Sequence, residues 1–396
     1  MKSVNLDLKL NKRLIKIVGG GLTGIETAYI CAKNGYRVHI FNKPQNELTY
    51  FDKEELFANI LQEELFNFSS PTYLTSQRMG ENILKLDKNF IGLMREKLKE
   101  FPNVSYIESE IDELNPREIT LLATGNNTTN KLLDDLTKYI GERKIQYYSP
   151  GEIAFKNIKE ENLFHDKDNN YHLNLTESEY AILKNKMCKF LNDYEVNNLL
   201  GQQISGESLA RNEALRTAIF RPIYNEKCKA YASLKLRKHD DVYYLTEFFT
   251  ALSNEEQKEI FSGISALDGA EFVNFGKIYK RTYLSSAMCV NNFLQFKNEE
   301  NFFVCGGLLG VEGVMESLLT ANYVAYNLMN MAEGKPLQEI TNFSCTKLLI
   351  DKLLQKNVLN HRLLSFDYDI INDENGKNID TSAVLKFKEK FYGKYF

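Results

Sequence analysis

Tryptophan is absent from this 396-residue sequence, and its six cysteines are scattered without a single Cys-x-x-Cys pair. Zinc modules and disulfide frameworks depend on closely spaced cysteines, so we expect neither of them, no metal site and a reducing compartment. A strong positive charge is also missing, since the formal net charge is −4. The chain as a whole is therefore not a basic nucleic-acid binder, and any contact with RNA must use a local patch.

Long hydrophobic runs are missing as well. The first seven residues contain no apolar signal core, and no stretch approaches the length of a membrane span. We therefore expect a cytoplasmic protein without a membrane partner. The length allows a sizeable core in two or three structural units, and the sequence leaves the oligomeric state open.

What the sequence does contain is a glycine-rich turn at residues 19–24, between an apolar run and a helical pattern. The run 14–18 is typical of a buried strand, residues 25–32 repeat at helical spacing, and 37–41 predicts a second strand. In such a βαβ unit the phosphates of a dinucleotide lie at the helix N-terminus. We predict a dinucleotide site, with a glycine-rich turn without a ligand as the alternative, because the glycine triplet alone is a weak signal.

Two further segments bear on this site. The residue after the second predicted strand is Asn42, where dinucleotide folds usually place an acid that holds the ribose hydroxyls. Asn42 can still hydrogen-bond a ribose, but without the charge. The apolar segment 118–122 then ends in Ala123-Thr124-Gly125, where Gly125 would allow a close approach to the cofactor. An ordinary strand and turn is an equally good interpretation of that segment alone.

A second glycine-rich turn lies near the other end of the chain. The apolar segment 302–305 runs into glycines between 306 and 313, and a predicted helix follows over 314–332. Two such turns indicate that the two ends of the chain fold together around one extended cofactor, for which FAD fits better than a mononucleotide.

Between the two turns the pattern changes to mixed strands and helices with many charges. We predict three parts, 1–146 and 270–396 forming one domain and 147–269 inserted into it. Within the insertion, residues 211–238 contain eight basic and two acidic residues, a net charge of +6, with aromatic residues interleaved. This composition suits phosphate contact with base stacking, and a solvated charged face around a buried strand is the alternative.

Five segments together resemble one protein family. They are GGGLTGIETA at 19–28, KAYASLKLR at 229–237, FFTAL at 248–252, AEFVNFG at 270–276 and FFVCGGLLGVEGVMES at 302–317. The family is TrmFO, the FAD- and folate-dependent RNA uracil-5-methyltransferases, with the larger tRNA-modifying GidA flavoproteins as distant relatives. The resemblance implies an α/β fold, namely a glutathione-reductase-type FAD-binding Rossmann domain built from both chain ends with an inserted α/β domain.

The resemblance also implies an activity. In the family a one-carbon unit passes from methylenetetrahydrofolate through the flavin to C5 of a uridine in RNA, and reduced nicotinamide, NAD(P)H, supplies electrons. The expected cofactor-binding residues are Gly19, Gly21, Leu22, Thr23, Gly24, Asn42, Ala123, Thr124, Gly125, Gly306, Gly307, Gly310, Val311, Glu312 and Gly313. The expected RNA-binding residues, all from the basic stretch, are Arg211, Arg216, Arg221, Lys235 and Arg237.

The two cysteines of the family have no counterpart here, because the segments that carry them are shortened or replaced. Attack on uracil C5 ordinarily needs a nucleophile that adds at C6, and a thiolate suits that role best. Cys228 is the candidate for a relocated nucleophile, with a surface or semi-buried thiol as the alternative. Cys289 is a weaker candidate, and for both Cys289 and Cys305 core packing is favoured.

These departures lead to two functional hypotheses. The first is a divergent paralogue of the RlmFO kind found in mycoplasma-like bacteria, which forms 5-methyluridine in 23S rRNA rather than in the tRNA T-loop. The alternative is an FAD-binding paralogue without methyl transfer, acting as an NAD(P)H oxidase or as an RNA-binding flavoprotein.

Overall fold

The structure is a computed structural model, which describes residues 13–43, 54–56, 59–78, 83–85, 90–125, 128–150, 152–165, 171–189, 210, 213–224, 229–239, 241–245, 248, 250, 252–276, 278–311, 313–355 and 379–392. The chain divides into two compact units. The first consists of Met1–Ile145 together with Thr282–Phe396, and the second of Gln146–Arg281. The described part of the chain contains no helix that is long and apolar enough to cross a membrane.

The described strands are β1 (Ile15–Val18), β2 (Val38–Asn42), β3 (Glu54–Leu56), β4 (Gln77–Arg78), β5 (Ile83–Lys85), β6 (Val104–Glu108), β7 (Ile119–Leu122), β8 (Lys144–Pro150), β9 (Ala154–Lys156), β10 (Leu163–His165), β11 (Tyr171–Leu175), β12 (Ile223–Tyr224), β13 (Lys229–Ala230), β14 (Ala232–His239), β15 (Val242–Leu245), β16 (Glu271–Asn274), β17 (Ile278–Leu284), β18 (Gln295–Phe296) and β19 (Glu299–Val304).

The described α-helices are α1 (Leu22–Lys33), α2 (Asn59–Phe68), α3 (Pro71–Thr75), α4 (Phe90–Lys99), α5 (Asn130–Ile140), α6 (Glu177–Lys189), α7 (Leu215–Ala218), α8 (Asn254–Phe261), α9 (Ser286–Cys289), α10 (Val314–Ala332), α11 (Cys345–Leu353) and α12 (Ala383–Tyr392). Short 3₁₀ turns occupy Glu160–Asn162, Ser265–Leu267 and Gly306–Leu309.

The first unit is built on a six-stranded sheet in the order β18-β19-β7-β1-β2-β6. All neighbours pair in parallel except β18, which runs antiparallel to β19. β19 comes from the C-terminal part of the chain and pairs with β7 from the N-terminal part, with Phe303 opposite Leu121. The prediction of an α/β Rossmann-type domain assembled from both chain ends is therefore confirmed.

The central strands are mostly apolar because helices cover the sheet. All four residues of β7 are buried, which is typical of a parallel strand enclosed on both faces. α1 and α10 pack against each other, and the Thr27 hydroxyl donates a hydrogen bond to the Ala321 carbonyl, 3.3 Å away. Small side chains such as Ala28 and Ala325, both fully buried, leave room for this close approach.

Two fully buried carboxylates, Glu26 and Glu64, accept hydrogen bonds from other helices of this unit. Glu26 of α1 accepts hydrogen bonds from the Thr72 backbone N–H at the start of α3 and from the Asn322 amide of α10, at 3.1 and 2.7 Å. Glu64 of α2 accepts from the backbone N–H groups of Cys345 and Thr346, the first residues of α11. Each carboxylate therefore satisfies free N–H groups at a helix N-terminus from another part of the chain.

The second unit contains a separate six-stranded sheet in the order β10-β11-β14-β15-β9-β16. All of its described pairings are antiparallel, so its residues alternate between two faces. Leu173, Leu234 and Leu236 belong to the buried face, and the same core contains residues of α6 and α8. The second unit therefore has its own core.

One boundary differs from the prediction. The predicted last part of the chain begins at residue 270, whereas the second unit extends to Arg281. The physical reason is β16, which pairs with β9 and places Phe272 opposite Phe155 in the sheet of the second unit. A short strand followed by a turn does not reveal in the sequence which sheet it will join.

The Glu64 arrangement gives a stability prediction. Glu64→Gln replaces one acceptor oxygen by an amide that donates, which leaves an N–H group of α11 facing another donor. We expect the free energy of unfolding to fall by about 1–3 kcal/mol, measured by urea denaturation. The matched control is Glu63→Gln, an exposed neighbour that accepts a hydrogen bond from the Thr381 hydroxyl and should change stability by less than about 0.5 kcal/mol. Equal stability of the two variants would contradict the capping role of Glu64.

Candidate functional site

The first glycine turn connects β1 to α1 and requires two of its glycines for packing. Gly19 has a φ angle of +111°, and a Cβ on it would lie 2.3 Å from the Ala123 carbonyl oxygen. A Cβ on Gly24 would lie 1.9 Å from the Gly19 carbonyl oxygen. Both distances are far below van der Waals contact. A side chain at residue 19 would therefore push the turn away from the Ala123 segment after β7, and one at residue 24 would push α1 away from the turn.

Gly21 differs, because no described atom lies within 4 Å of the place where its Cβ would be. Gly21 is also the N-cap of α1, and no side chain caps this helix end. The first N–H groups of a helix have no acceptor within the helix, and the first turn of α1 contains no acidic residue. The result is open space beside an uncompensated positive helix end, which favours an anion.

Asn42, the predicted ribose ligand, is engaged within the protein. Its Oδ1 accepts a hydrogen bond from the Gly20 N–H at 2.8 Å, and its Nδ2 donates to the Lys43 carbonyl at 3.1 Å. The Tyr106 ring from β6 lies beside the same turn, and a Cβ on Gly20 would be 2.5 Å from its hydroxyl oxygen. Burial raises the pKa of Tyr106, which keeps the phenol neutral. Asn42 and Tyr106 thus hold the turn in position.

The Ala123-Thr124-Gly125 segment continues β7 at the same edge of the sheet. The Ala123 N–H donates to the Val18 carbonyl at 2.8 Å, which places this segment directly beside the first turn. Gly125 has a φ angle of +57°, and the described residues leave the space at its Cβ empty. The Thr128 hydroxyl closes the turn by donating to the Gly125 carbonyl at 2.9 Å.

The second glycine turn connects β19 to α10. Gly306, Gly310 and Gly313 all have positive φ angles, and Gly313 is the N-cap of α10, again without a side-chain cap. The Tyr283 ring packs on this turn, since a Cβ on Gly310 would lie 2.7 Å from its Cδ2. The buried Glu316 carboxylate folds back over Gly313, so this helix end, unlike that of α1, has an acidic side chain beside it.

The two turns meet through Thr23 and Gly306. A Cβ on Gly306 would lie 2.9 Å from Thr23 Cγ2, and the Gly306 N–H donates to the Thr320 hydroxyl at 3.0 Å. Because β1 and β19 both run parallel to β7, α1 and α10 both begin at the carboxyl edge of the sheet. The structure therefore brings two helix N-termini together at one edge, and the Glu316 carboxylate lies beside that of α10. In open α/β sheets this edge is where ligands bind.

The predicted cofactor-binding residues that are described lie in the three segments at this edge, except Asn42, which ends β2 beside the first turn. Glu312 lies outside the described residues. Sequence reasoning gave no cofactor-site role to Tyr106, Tyr283 and Thr320, which contact the glycine turns. Tyr283 follows the segment 270–276 that resembles the family, but the roles of all three come from contacts with residues far away in the chain.

Four of the five described cysteines, Cys31, Cys289, Cys305 and Cys345, are buried and poorly suited to nucleophilic attack, whereas Cys188 is partly exposed. Burial raises the pKa of Cys305 to about 12, although Thr23 hydrogen-bonds its thiol, and raises that of Cys289 to about 11. Burial also raises the pKa of Cys31 and Cys345. Core packing of Cys289 and Cys305 agrees with the sequence analysis, and Cys228 lies outside the described residues.

The predicted RNA-binding residues that are described belong to the second unit. Lys235 and Arg237 project from the same face of β14, opposite to the apolar core face. Arg237 lies 3.3 Å from a carboxylate oxygen of Glu152, which offsets part of its charge. Arg216 and Arg221 donate to backbone carbonyls within their own segment of the chain, and Arg211 lies outside the described residues.

The chain matches a known family model and several known proteins. The family model described as "Glucose inhibited division protein A" matches residues 80–336. Among curated proteins, the chain is similar to methylenetetrahydrofolate–tRNA-(uracil-5-)-methyltransferase TrmFO from Fusobacterium nucleatum, with 26% identity over 362 residues, 81% of this chain and 83% of the relative. The protein of that name from Thermotoga maritima is 28% identical over 364 residues, with the same shares covered. "TrmFO 2" from Mycoplasma mycoides is 25% identical and covers 92% of both chains.

The solved structures show the same fold. GidA from Aquifex aeolicus, in its form II crystal, matches with a TM-score of 0.66 at 14% identity, covering 97% of this chain and 73% of that chain. Its form I crystal gives a TM-score of 0.67 at 13% identity, covering 96% and 76%. The resemblance to the TrmFO family and to GidA indicated by the sequence motifs is thereby confirmed.

The burial of the thiols gives a prediction for chemical labelling. At pH 8 the native protein should leave Cys31, Cys289, Cys305 and Cys345 unmodified by iodoacetamide, because the thiolate is the reactive form and each thiol is buried with a raised pKa. Peptide mass spectrometry before and after unfolding in urea provides the measurement and its control. Rapid labelling of Cys305 in the folded protein would contradict the packing described above.

Proposed function

The chain belongs to the glucose inhibited division protein A family, and from this premise we propose that it is an FAD- and methylenetetrahydrofolate-dependent methyltransferase that forms 5-methyluridine in RNA. The observation that carries the proposal is the meeting of the two glycine turns at Thr23 and Gly306, with two helix N-termini at one edge of the sheet.

The residues present at this edge fit FAD. A pyrophosphate carries two negative charges and needs close approach to backbone N–H groups, which the open space at Gly21 and the uncapped end of α1 provide. A long dinucleotide also needs a second contact region, and the turn from Gly306 to Gly313 supplies one in the same unit. The cofactor-binding residues expected from the sequence are therefore retained as the proposed FAD ligands.

This chain's own residues have distinct tasks in that arrangement. Asn42 and Tyr106 fix the first turn so that the N–H groups of α1 face the phosphates. Because both polar atoms of the Asn42 amide already have partners, we assign Asn42 to positioning the turn as well as to the ribose. Tyr283 supports the second turn at Gly310. When bound, FAD would supply the redox and one-carbon carrier chemistry.

The substrates follow from the relatives. The names of these relatives specify methylenetetrahydrofolate and a uracil of tRNA. For this chain we propose methylenetetrahydrofolate as the donor, RNA as the acceptor and NAD(P)H as the reductant. We propose that the protein acts in the cytoplasm. Within RNA we favour 23S rRNA over the tRNA T-loop, because the family's two cysteine segments are altered here. A second TrmFO in a mycoplasma, at 25% identity, supports the existence of paralogues.

The missing family cysteines also support a second candidate function. Cys31, Cys289, Cys305 and Cys345 are buried and burial raises their pKa values, and Cys188 is partly exposed. Cys228 is retained as the proposed nucleophile. If Cys228→Ala keeps full methyl transfer, Cys228 is not part of the mechanism. An FAD-binding paralogue that acts as an NAD(P)H oxidase or RNA-binding flavoprotein is the alternative, and it predicts bound flavin without any methyl transfer.

The proposed function is tested with labelled methylenetetrahydrofolate, NADPH and either 23S rRNA or tRNA, followed by mapping of 5-methyluridine. We expect a yellow protein that labels a uridine in one RNA, and rRNA in preference to tRNA. Gly21→Glu should abolish flavin absorbance and labelling without unfolding the protein, because its side chain enters open space and places a negative charge at the phosphate position.

The matched control is Gly263→Glu, the same change at an exposed glycine of the second unit, where the nearest atoms to a Cβ are 3.8 and 3.9 Å away. It should retain flavin. A flavin-loaded wild-type protein that labels neither RNA would reject the methyltransferase in favour of the alternative, and a protein that never takes up FAD would reject both.

The basic stretch gives a separate prediction. Reversing Lys235 and Arg237 to glutamate should weaken RNA affinity and reduce the salt dependence of binding by about one unit of slope for each lost phosphate contact. The control variant reverses Lys159 and Lys258, two exposed lysines elsewhere in the same unit. Filter binding between 50 and 200 mM salt provides the measurement, and equal affinities for both double variants would reject this surface.

A further inference from the structure

The second unit contains a cavity that the expected RNA-binding residues do not account for. It lies where β11 ends and α6 begins, has a volume of about 520 Å³ and is lined by Asn174, Thr176, Glu179, Lys229, Tyr231 and Ser265 among others. We propose that this cavity binds one nucleotide of a single-stranded RNA segment, which rests on the proposed function above. Volumes of this order are typical of small-molecule sites, about 300–1,000 Å³.

The Glu179 carboxylate forms a fixed, internally satisfied wall of the cavity. It accepts hydrogen bonds from the Thr176 backbone N–H and hydroxyl, both at 2.7 Å, and from the Ser265 N–H and hydroxyl at 2.8 and 2.6 Å. Burial opposes its ionisation, but the hydrogen bonds from Ser265 and Thr176 outweigh burial and lower its pKa to about 2. Four hydrogen-bond donors therefore hold the ionised carboxylate in a fixed position on this wall.

The basic side chain in the cavity lining is Lys229. Lys229 is exposed, and no carboxylate of the described residues forms an ion pair with it. The Arg216 guanidinium lies 3.8 Å from the centroid of the Tyr231 ring, and its Nε donates to the Tyr231 carbonyl at 2.8 Å. A cation above an aromatic ring holds that ring in a fixed orientation. The cavity thus combines an available ammonium group with an oriented, half-buried aromatic side chain.

This combination matches a nucleotide better than a simple anion. A phosphodiester would contact Lys229, and a base would stack on Tyr231, which is how proteins commonly hold single-stranded RNA. Lys229 also begins the stretch that continues along β14 to Lys235 and Arg237. An RNA strand has the repeated phosphates needed to contact several cations along such a stretch, whereas one free phosphate does not.

The test uses the full-length, flavin-loaded protein and a twelve-nucleotide oligouridylate that carries 5-bromouridine for photo-crosslinking. Lys229→Glu should lower the affinity at least about fivefold and reduce the salt slope by about one, while Lys229→Arg should retain the wild-type affinity. Lys159→Glu, the same charge reversal outside the cavity, should bind like the wild type. Tyr231 should appear among the crosslinked peptides in mass spectrometry.

Flavin absorbance and the thermal midpoint are recorded for every variant, so that loss of folding is distinguished from loss of binding. If the wild type binds the oligonucleotide but Lys229→Glu binds equally well and Tyr231 is never crosslinked, the cavity proposal is overturned while the proposed function stands. If the wild type does not bind the oligonucleotide, the cavity proposal is overturned, and the labelling assay with 23S rRNA and tRNA decides the proposed function separately. Saturation of the cavity by inorganic phosphate without any competition from the oligonucleotide also overturns it.

Discussion

The close packing of α1 against α10 is the constraint on which the first unit depends. These helices come from opposite ends of the chain, and Thr27 and Cys31 of α1 hydrogen-bond the Ala321 and Ala325 carbonyls of α10. The contact fixes the distance between the two glycine turns. It also places two helix N-termini at one edge of the sheet, so the same packing that closes the core creates the electrostatic character of the site.

Much of this organisation could be predicted from the sequence, because glycine positions carry direct geometric information. The requirement at Gly19 and Gly24 is a clash with backbone atoms, and no other residue avoids it. The apolar strands β1, β7 and β19 were equally readable, since strands buried on both faces show continuous hydrophobic runs. The likeness of the two turns then indicated that the two chain ends share one domain.

Other features could not be predicted, because they depend on contacts between distant segments. The expected role of Asn42 came from its place after β2, but its amide bonds the turn itself, as only the three-dimensional arrangement reveals. Glu26 and Glu64 look like ordinary surface residues of amphipathic helices, yet both are fully buried against the N-terminus of another helix. A carboxylate that caps a distant helix leaves no pattern in the neighbouring sequence.

The net charge of the basic stretch likewise does not predict which of its cations form ion pairs within the protein. The basic stretch contains six more basic than acidic residues, but Arg237 faces Glu152 from another strand and Lys238 is paired with Glu160. Lys229 has no such partner among the described residues and lies beside an aromatic ring. Because the attraction of a phosphate depends on the charge left unbalanced at one place, the pairing of Arg237 and Lys238 reduces what these two cations offer to RNA.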